Sequence, residues 1–208
     1  AFTSFFPYLL SGPIERAGTM LPQLARAPKF QAVNISEGLS FFVAGLFKKV
    51  VLADFLAVYV DKVYAAPSDA AGLTLLVATY AFAWQIYFDF SGYTDLARGA
   101  AKMMGYNLGL NFNNPYLADG LGDFWKRWHI SLSSWIRDYV YFPLAGRTIA
   151  ATARSYAALV IAMLLAGLWH GAAWTFVIWG ALHGIGRALT RELEVSPFYR
   201  HRVPKPVK

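Results

Sequence analysis

The sequence predicts an all-α, polytopic integral membrane protein with re-entrant or interfacial helices beside its spans. Composition points that way first: 57% of the 208 residues are hydrophobic and only 15% are charged, against about a quarter charged in ordinary soluble domains. The second observation is that no Asp, Glu, Lys or Arg occurs between Ser155 and Gly186, or between Ala70 and Phe88. About 20 apolar helical residues cross a bilayer core roughly 30 Å thick. Third, aromatic residues make up 17% of the chain and crowd together with Arg and Lys between 122 and 144, the pairing that marks a membrane–water interface.

The net charge of +7 fits contact with anionic membrane lipids or a set of cationic cytoplasmic loops. No basic stripe with interleaved aromatics lies outside the apolar segments, so no nucleic-acid partner is expected. With no cysteine, thiol catalysis, disulfides and Cys-ligated metal are excluded. The chain opens on AFTSFFPYLL with neither an initiator Met nor a signal peptide. It reads as one membrane domain over residues 1–208, an internal portion of a longer protein with further spans at both ends.

Residues 1–35 form a proline-rich opening and interfacial segment. Pro7, Pro13 and Pro22 prevent one clean spanning helix; Glu15-Arg16 suits an interfacial ion pair or a headgroup contact. A helix follows over 36–66, with Ser36 as its N-cap. Lys48-Lys49 interrupt it midway and predict a tilt or kink that lets both side chains snorkel to the interface.

Residues 70–106 hold a span and a following helix. The span runs into Asp89-Phe90-Ser91-Gly92-Tyr93-Thr94-Asp95, where Ser91-Gly92 predicts a break. Asp89 and Asp95 alone are too few for a metal site, so none is expected. One is expected to pair with Arg98 or Lys102, the other to cap a helix end. NLGLNFNN, from Asn107 to Asn114, reads as a polar loop rich in turn formers, and a sugar-facing loop has the same look.

Residues 122–144 (GDFWKRWHISLSSWIRDYVYFPL) read as one aromatic interfacial or re-entrant helix capped by Asp123. Phe124, Trp128, Leu132, Trp135 and Tyr139 recur at helical spacing, and His129 lies near that aromatic face. Arg147–Arg154 is a basic connector. Residues 155–190 form the central span, and 191–208 a basic tail with Pro197, Pro204 and Pro206.

The central span is the most informative stretch. LAGLWHGAAWTFVIWGALHG places His170 among small and apolar residues, with Gly171 directly after it. A break at His170-Gly171 is tolerated at membrane depth only where it is buried in protein or lines a cavity. A buried neutral imidazole is a competent general base; a packed histidine satisfied by one hydrogen bond is the competing reading. His183 suits helix packing better than chemistry.

YFDFSGYTDLARGAAKMMGY, NFNNPYLADGLGDFWKRWHISLSSWIRDYVYFPL and LLAGLWHGAAWTFVIWGALHG together resemble the membrane-bound O-acyltransferase (MBOAT) family, in particular its bacterial branch active in alginate O-acetylation. FFPYLLSGPIERAGTMLPQL and GLFKKVVLAD fit the same branch, so the resemblance covers nearly all of residues 1–190. It implies a multi-span helical enzyme, an acyltransferase of the bacterial inner membrane, whose signature histidines fall on His170 (the LWHG word) and His129 (the RWHxS word). It also implies a tunnel through the membrane, with an acyl donor entering from the cytoplasmic side and the acceptor from the other. No bound cofactor is implied, and the donor is acetyl-CoA or another acetyl carrier. The implied partners are membrane lipids, an exopolysaccharide acceptor and periplasmic acetyltransferases. The branch's Gly-Gly-Asn/Ser-Arg word is reduced here to Ala145-Gly146-Arg147, which implies a shortened donor-side loop.

On this reading His170 takes the acceptor proton or carries the acyl group, and His129 orients the acceptor or hydrogen-bonds the carbonyl. Three rivals stand beside it. One changes the cargo: D-alanyl transfer toward teichoic acid, or acetylation of peptidoglycan or cellulose. Another is a non-catalytic channel or acyl-transport subunit whose histidines relay protons. The last is a structural scaffold in which both histidines tolerate alanine. Lys and Arg flank most segments on both sides, so the positive-inside rule leaves the orientation open.

Overall fold

The computed structural model describes residues 2–26, 28, 31–146, 152–196 and 198. Two compact units make up the chain, Ala1–Leu110 and Asn111–Lys208. Helices dominate both, and among the described residues there is no strand. The expected all-α class is therefore observed. Arg147 of the Ala145-Gly146-Arg147 word, residues 147–151 of the connector and most of the basic tail lie outside the described residues.

In the first unit, α1 (Phe6–Leu9) and α2 (Ala17–Leu24) are short, as the prolines require. They close over a small core of Phe5, Met20, Ala97, Ala101 and Leu108. Glu15 reaches the chain 94 residues on, accepting the Gly109 N–H at 2.7 Å. α3 (Ala32–Leu46) begins four residues before Ser36, with Gln31 at the cap position. Ser36 is thus interior to the helix, where its carbonyl accepts the Ser40 hydroxyl at 2.9 Å.

Lys48 and Lys49 do mark an irregularity. Phe47–Ala53 is π-helical and joins α3 to α4 (Asp54–Tyr64) without a break. Both lysines find acidic partners. Lys48 pairs with Asp95 at 2.6 Å, and Lys49 with Asp89 at 2.7 Å and Asp54 at 2.8 Å. Both side chains are only partly exposed and each cation is met by carboxylates, and a π turn adds the residue that re-aims side chains toward them.

The break expected at Ser91-Gly92 is absent. α5 runs unbroken from Gly72 to Met103, about 48 Å at 1.5 Å per residue. Gly92 serves packing instead. Gly38 and Gly45 on α3 face Gly99 and Gly92 on α5 so closely that a Cβ on Gly45 would stand 2.6 Å from the Gly92 carbonyl oxygen, and one on Gly99 2.6 Å from that of Gly38. Two glycines two turns apart on each antiparallel helix form the small-residue seam that lets backbones touch. Asp89 likewise pairs across that seam and caps nothing, while Asp95 meets Arg98 at 3.5 Å as expected.

In the second unit the aromatic stretch is not one helix. α6 (Leu121–Arg127) stops, Trp128 and His129 intervene, and α7 (Ile130–Ile136) begins. A π-helical segment, Arg137–Tyr141, then leads into α8 (Phe142–Ala145). Gly120, not Asp123, occupies the cap position of α6, while Asp123 sits in its first turn and holds Arg127 at 2.7 Å. The central stretch forms a hairpin. α9 (Ala153–His170) opens on a Thr152/Ser155 capping box, ends at His170, and gives way at Gly171 to α10 (Trp174–Val195). Gly180 lies so near α9 that a Cβ there would be 2.5 Å from the Met163 carbonyl oxygen. Among the described residues two helices, α5 and α9, are long and apolar enough to cross a membrane.

Candidate functional site

The second unit brings both sequence-selected histidines into one aromatic cluster. His170 is the last residue of α9, exposed, at the expected break. Its ring stacks on Phe176 with centroids 6.0 Å apart and meets Trp179 edge-on at 5.4 Å. Trp169 bridges the pair: its indole lies 5.3 Å from the His170 ring and 6.0 Å from the His129 ring.

His129 is placed by a different device. It stands at the N-cap position of α7 with φ 41° and ψ 56°, in the left-handed region that costs a non-glycine residue about 1–2 kcal/mol. A helix start leaves backbone N–H groups needing acceptors, yet the His129 side chain makes no capping bond. Asn111 does that work from 20 residues upstream. Its carbonyl accepts the Ile130 N–H at 2.9 Å. Its Oδ1 accepts both the Ser131 N–H at 3.1 Å and the Ser131 hydroxyl at 2.9 Å. The Asn113 N–H donates to the Arg127 carbonyl at 2.9 Å, so the 111–113 segment is fastened across the break from both sides.

Around this clamp lie Phe112, stacked on His129 at 6.4 Å, and Trp128, edge-on to Phe112 at 5.1 Å. His129 is 3% exposed. Burial, joined by repulsion from a charge on His170, pushes its pKa from 6.5 down to about 4. At neutral pH it is an uncharged imidazole, able to donate from one nitrogen and accept at the other.

Asn111 was not legible as a site residue. The four asparagines of its loop look alike in sequence, and Asn114 does adopt the left-handed turn geometry that asparagine favours, with φ 44°. Asn111 differs in being wholly buried, which only the fold reveals. His183 lies on α10 against Trp125 at 5.2 Å and Trp179 at 4.7 Å, in the packing position expected. Among the described residues no three His, Cys, Asp or Glu side chains gather as a metal site would need.

Chemically, the cluster offers two imidazoles from different elements joined through Trp169. One is exposed enough to meet a reactant. The other is buried, neutral and fixed. That arrangement suits proton abstraction from a hydroxyl at one ring and hydrogen bonding at the other.

Residues 1–206 match the model of the MBOAT, membrane-bound O-acyltransferase family. A probable alginate O-acetylase of Azotobacter vinelandii is 43% identical over 94% of this chain and 39% of its own length. A peptidoglycan O-acetyltransferase of Helicobacter pylori is 41% identical over 91% of the chain and 36% of its own. A teichoic acid D-alanyltransferase of Streptococcus thermophilus is 30% identical over 89% and 48%. The chain thus spans 39% of the length of the alginate relative and a little under half that of the D-alanyltransferase.

Proposed function

The chain belongs to the membrane-bound O-acyltransferase family, and from that premise we propose that it is the histidine-bearing part of an enzyme that transfers an acetyl group toward the hydroxyls of an exported, alginate-like polysaccharide. The enzyme sits in the bacterial inner membrane as a multi-pass helical protein, with helices 122–144 lying at the interface. Its donor is acetyl-CoA or another acetyl carrier, and periplasmic acetyltransferases receive the group or act beside it. Support for the cargo comes from the names of relatives above 40% identity, a probable alginate O-acetylase and a peptidoglycan O-acetyltransferase among them.

The observation that carries the chemistry is the convergence of His129 and His170 on Trp169. His170 takes the acceptor hydroxyl proton as that oxygen attacks the acyl carbonyl, and the donor's leaving group departs as the carbonyl re-forms. In the alternative sequence the His170 imidazole attacks the donor's acyl carbonyl and displaces its leaving group to give an acyl-imidazole, and the acceptor hydroxyl then attacks that carbonyl, giving the ester and returning the imidazole with the hydroxyl proton. Neutral His129 donates a hydrogen bond to the developing oxyanion or holds the acceptor. Each role is worth about 10²–10⁴-fold in rate in enzymes generally.

The test is polymer acetylation in cells carrying the native gene with His170→Ala, protein level being followed by blot. Loss of acetyl at normal abundance is expected. Retained acetylation would overturn the catalytic reading in favour of an acyl-transport subunit. D-alanyl transfer is the second reading, favoured by the relatives at 30–31% identity; acyl-group analysis of the modified polymer separates the two.

A further inference from the structure

We infer that Asn111 is the positioning residue for His129: it takes over the capping of α7 and so holds the strained histidine with its imidazole turned to the reaction. The inference rests on the role proposed above for His129 and adds the residue through which that role is set.

A residue at a helix N-cap ordinarily spends its own side chain on the first N–H groups of the helix. Histidine is poorly suited to that task. At this helix start the acceptors for the Ile130 and Ser131 N–H groups both come from Asn111, one from its backbone and one from its side chain. The Ser131 hydroxyl adds a third bond to the same amide oxygen. His129 meanwhile keeps a left-handed φ of 41°, a conformation that persists only where the surroundings over-determine it. Asn111 is 0% exposed, so loss of its amide strands the Ser131 N–H and hydroxyl from water as well as from their acceptor, and leaves only the backbone bond to Ile130 at the start of α7. Released in this way, the 128–130 backbone relaxes and the imidazole turns. A displacement of about 1 Å in a catalytic group lowers rate by up to roughly a hundredfold.

Purified native protein with Asn111→Ala, Asn111→Asp, Ser131→Ala and, as a reference, His129→Ala tests this. Two readouts apply: initial acetyl-transfer rate from labelled acetyl-CoA per enzyme molecule, and the rate at which diethylpyrocarbonate modifies each histidine, read by mass spectrometry. Asn111→Ala should lower kcat by about ten- to a hundredfold with the donor KM held. It should open His129 to modification while His170 reacts as before. Asn111→Asp keeps the acceptor oxygen and should retain most of the rate and the protection. Ser131→Ala keeps the N–H bond and should fall between them.

Unchanged kcat and unchanged His129 protection in Asn111→Ala would overturn the inference. So would a rate lost equally in the Ala and Asp variants, since a merely structural asparagine gives no rescue by the retained oxygen. Full activity of His129→Ala would remove the role proposed for His129, and this inference with it. An inactive His129→Ala beside an unaffected Asn111→Ala would sink the inference alone.

Discussion

Trp169 packs against His129 with ring centroids 6.0 Å apart and planes tilted by 59°. The indole belongs to the residue immediately before His170, so the end of α9 and the α6–α7 break are registered against each other through one side chain. The sequence word LWHG therefore holds two roles in adjacent letters: the ring proposed for chemistry, and the ring that packs it against the second histidine. Trp169→Ala is expected to lower polymer acetylation about tenfold at normal protein level, by the loss of alignment between catalytic groups. Trp169→Phe keeps an aromatic contact and should stay within about threefold. Acetyl content per enzyme molecule checks both; equal losses in the two variants would deny the packing role.

The buried state of His129 makes a statement about pH. Its folded pKa is about 4 against the ordinary 6.5, so between those values the unfolded chain binds a proton that the folded chain refuses. Stability therefore rises with pH across that window, is fully present above about 6.5, and is lost on acidification toward 4. The whole contribution is about 3 kcal/mol at about 1.4 kcal/mol per pKa unit. Thermal unfolding of the native protein in detergent at about pH 7.5 and about pH 5 should show the loss. His129→Asn, which tolerates the same backbone geometry and does not titrate, should show a flatter profile. Identical slopes would mean that His129 keeps its ordinary pKa in the folded protein.

What could be read from the sequence was whatever local chemistry decides. The stop at His170-Gly171 follows from a glycine after an apolar run, and the irregularity at Lys48-Lys49 from two cations in an apolar helix. What could not be read was decided by partners far along the chain. Ser91-Gly92 looks like a break until Gly45 is known to lie against it. Asp89 looks like a cap until Lys49 is found at 2.7 Å. In the same way Asn111 is indistinguishable from Asn113 until Ser131 is brought to its amide. Aromatic periodicity through 122–144 also concealed the turn at His129, because a helix broken for two residues resumes with nearly the same stripe.

The glycine seams make a prediction that separates close approach from flexibility. At Gly45 a Cβ would stand 2.6 Å from the Gly92 carbonyl oxygen and 2.8 Å from the Leu96 nitrogen, backbone atoms that cannot step aside. Gly45→Ala should destabilise by about 1–3 kcal/mol through overpacking. Nothing lies within 4 Å of a Cβ at Gly18, so in α2 the same change should stabilise by about 0.5–1 kcal/mol through helix propensity. Thermal midpoints of the two variants should move in opposite directions. A shared direction would show that backbone entropy, not contact, governs both sites.

The contact of Trp125 with His183 tests how far the site's polar groups are satisfied. The rings meet edge-on at 5.2 Å, and among the described residues neither the Trp125 Nε1–H nor the His183 Nδ1 has a hydrogen-bond partner, though both atoms are buried. An unmade buried bond costs about 1–3 kcal/mol. Removing the donor while keeping the ring should therefore recover part of that cost and offset the smaller hydrophobic area of phenylalanine. Trp125→Phe is expected to leave stability within about 1 kcal/mol of the parent, where Trp→Ala changes in a core cost about 3–5 kcal/mol. Denaturation of the native protein in detergent measures both substitutions. If Trp125→Phe costs as much as Trp125→Ala, the indole N–H has a strong partner in the native protein, and this corner is a satisfied polar contact joining α6 to α10.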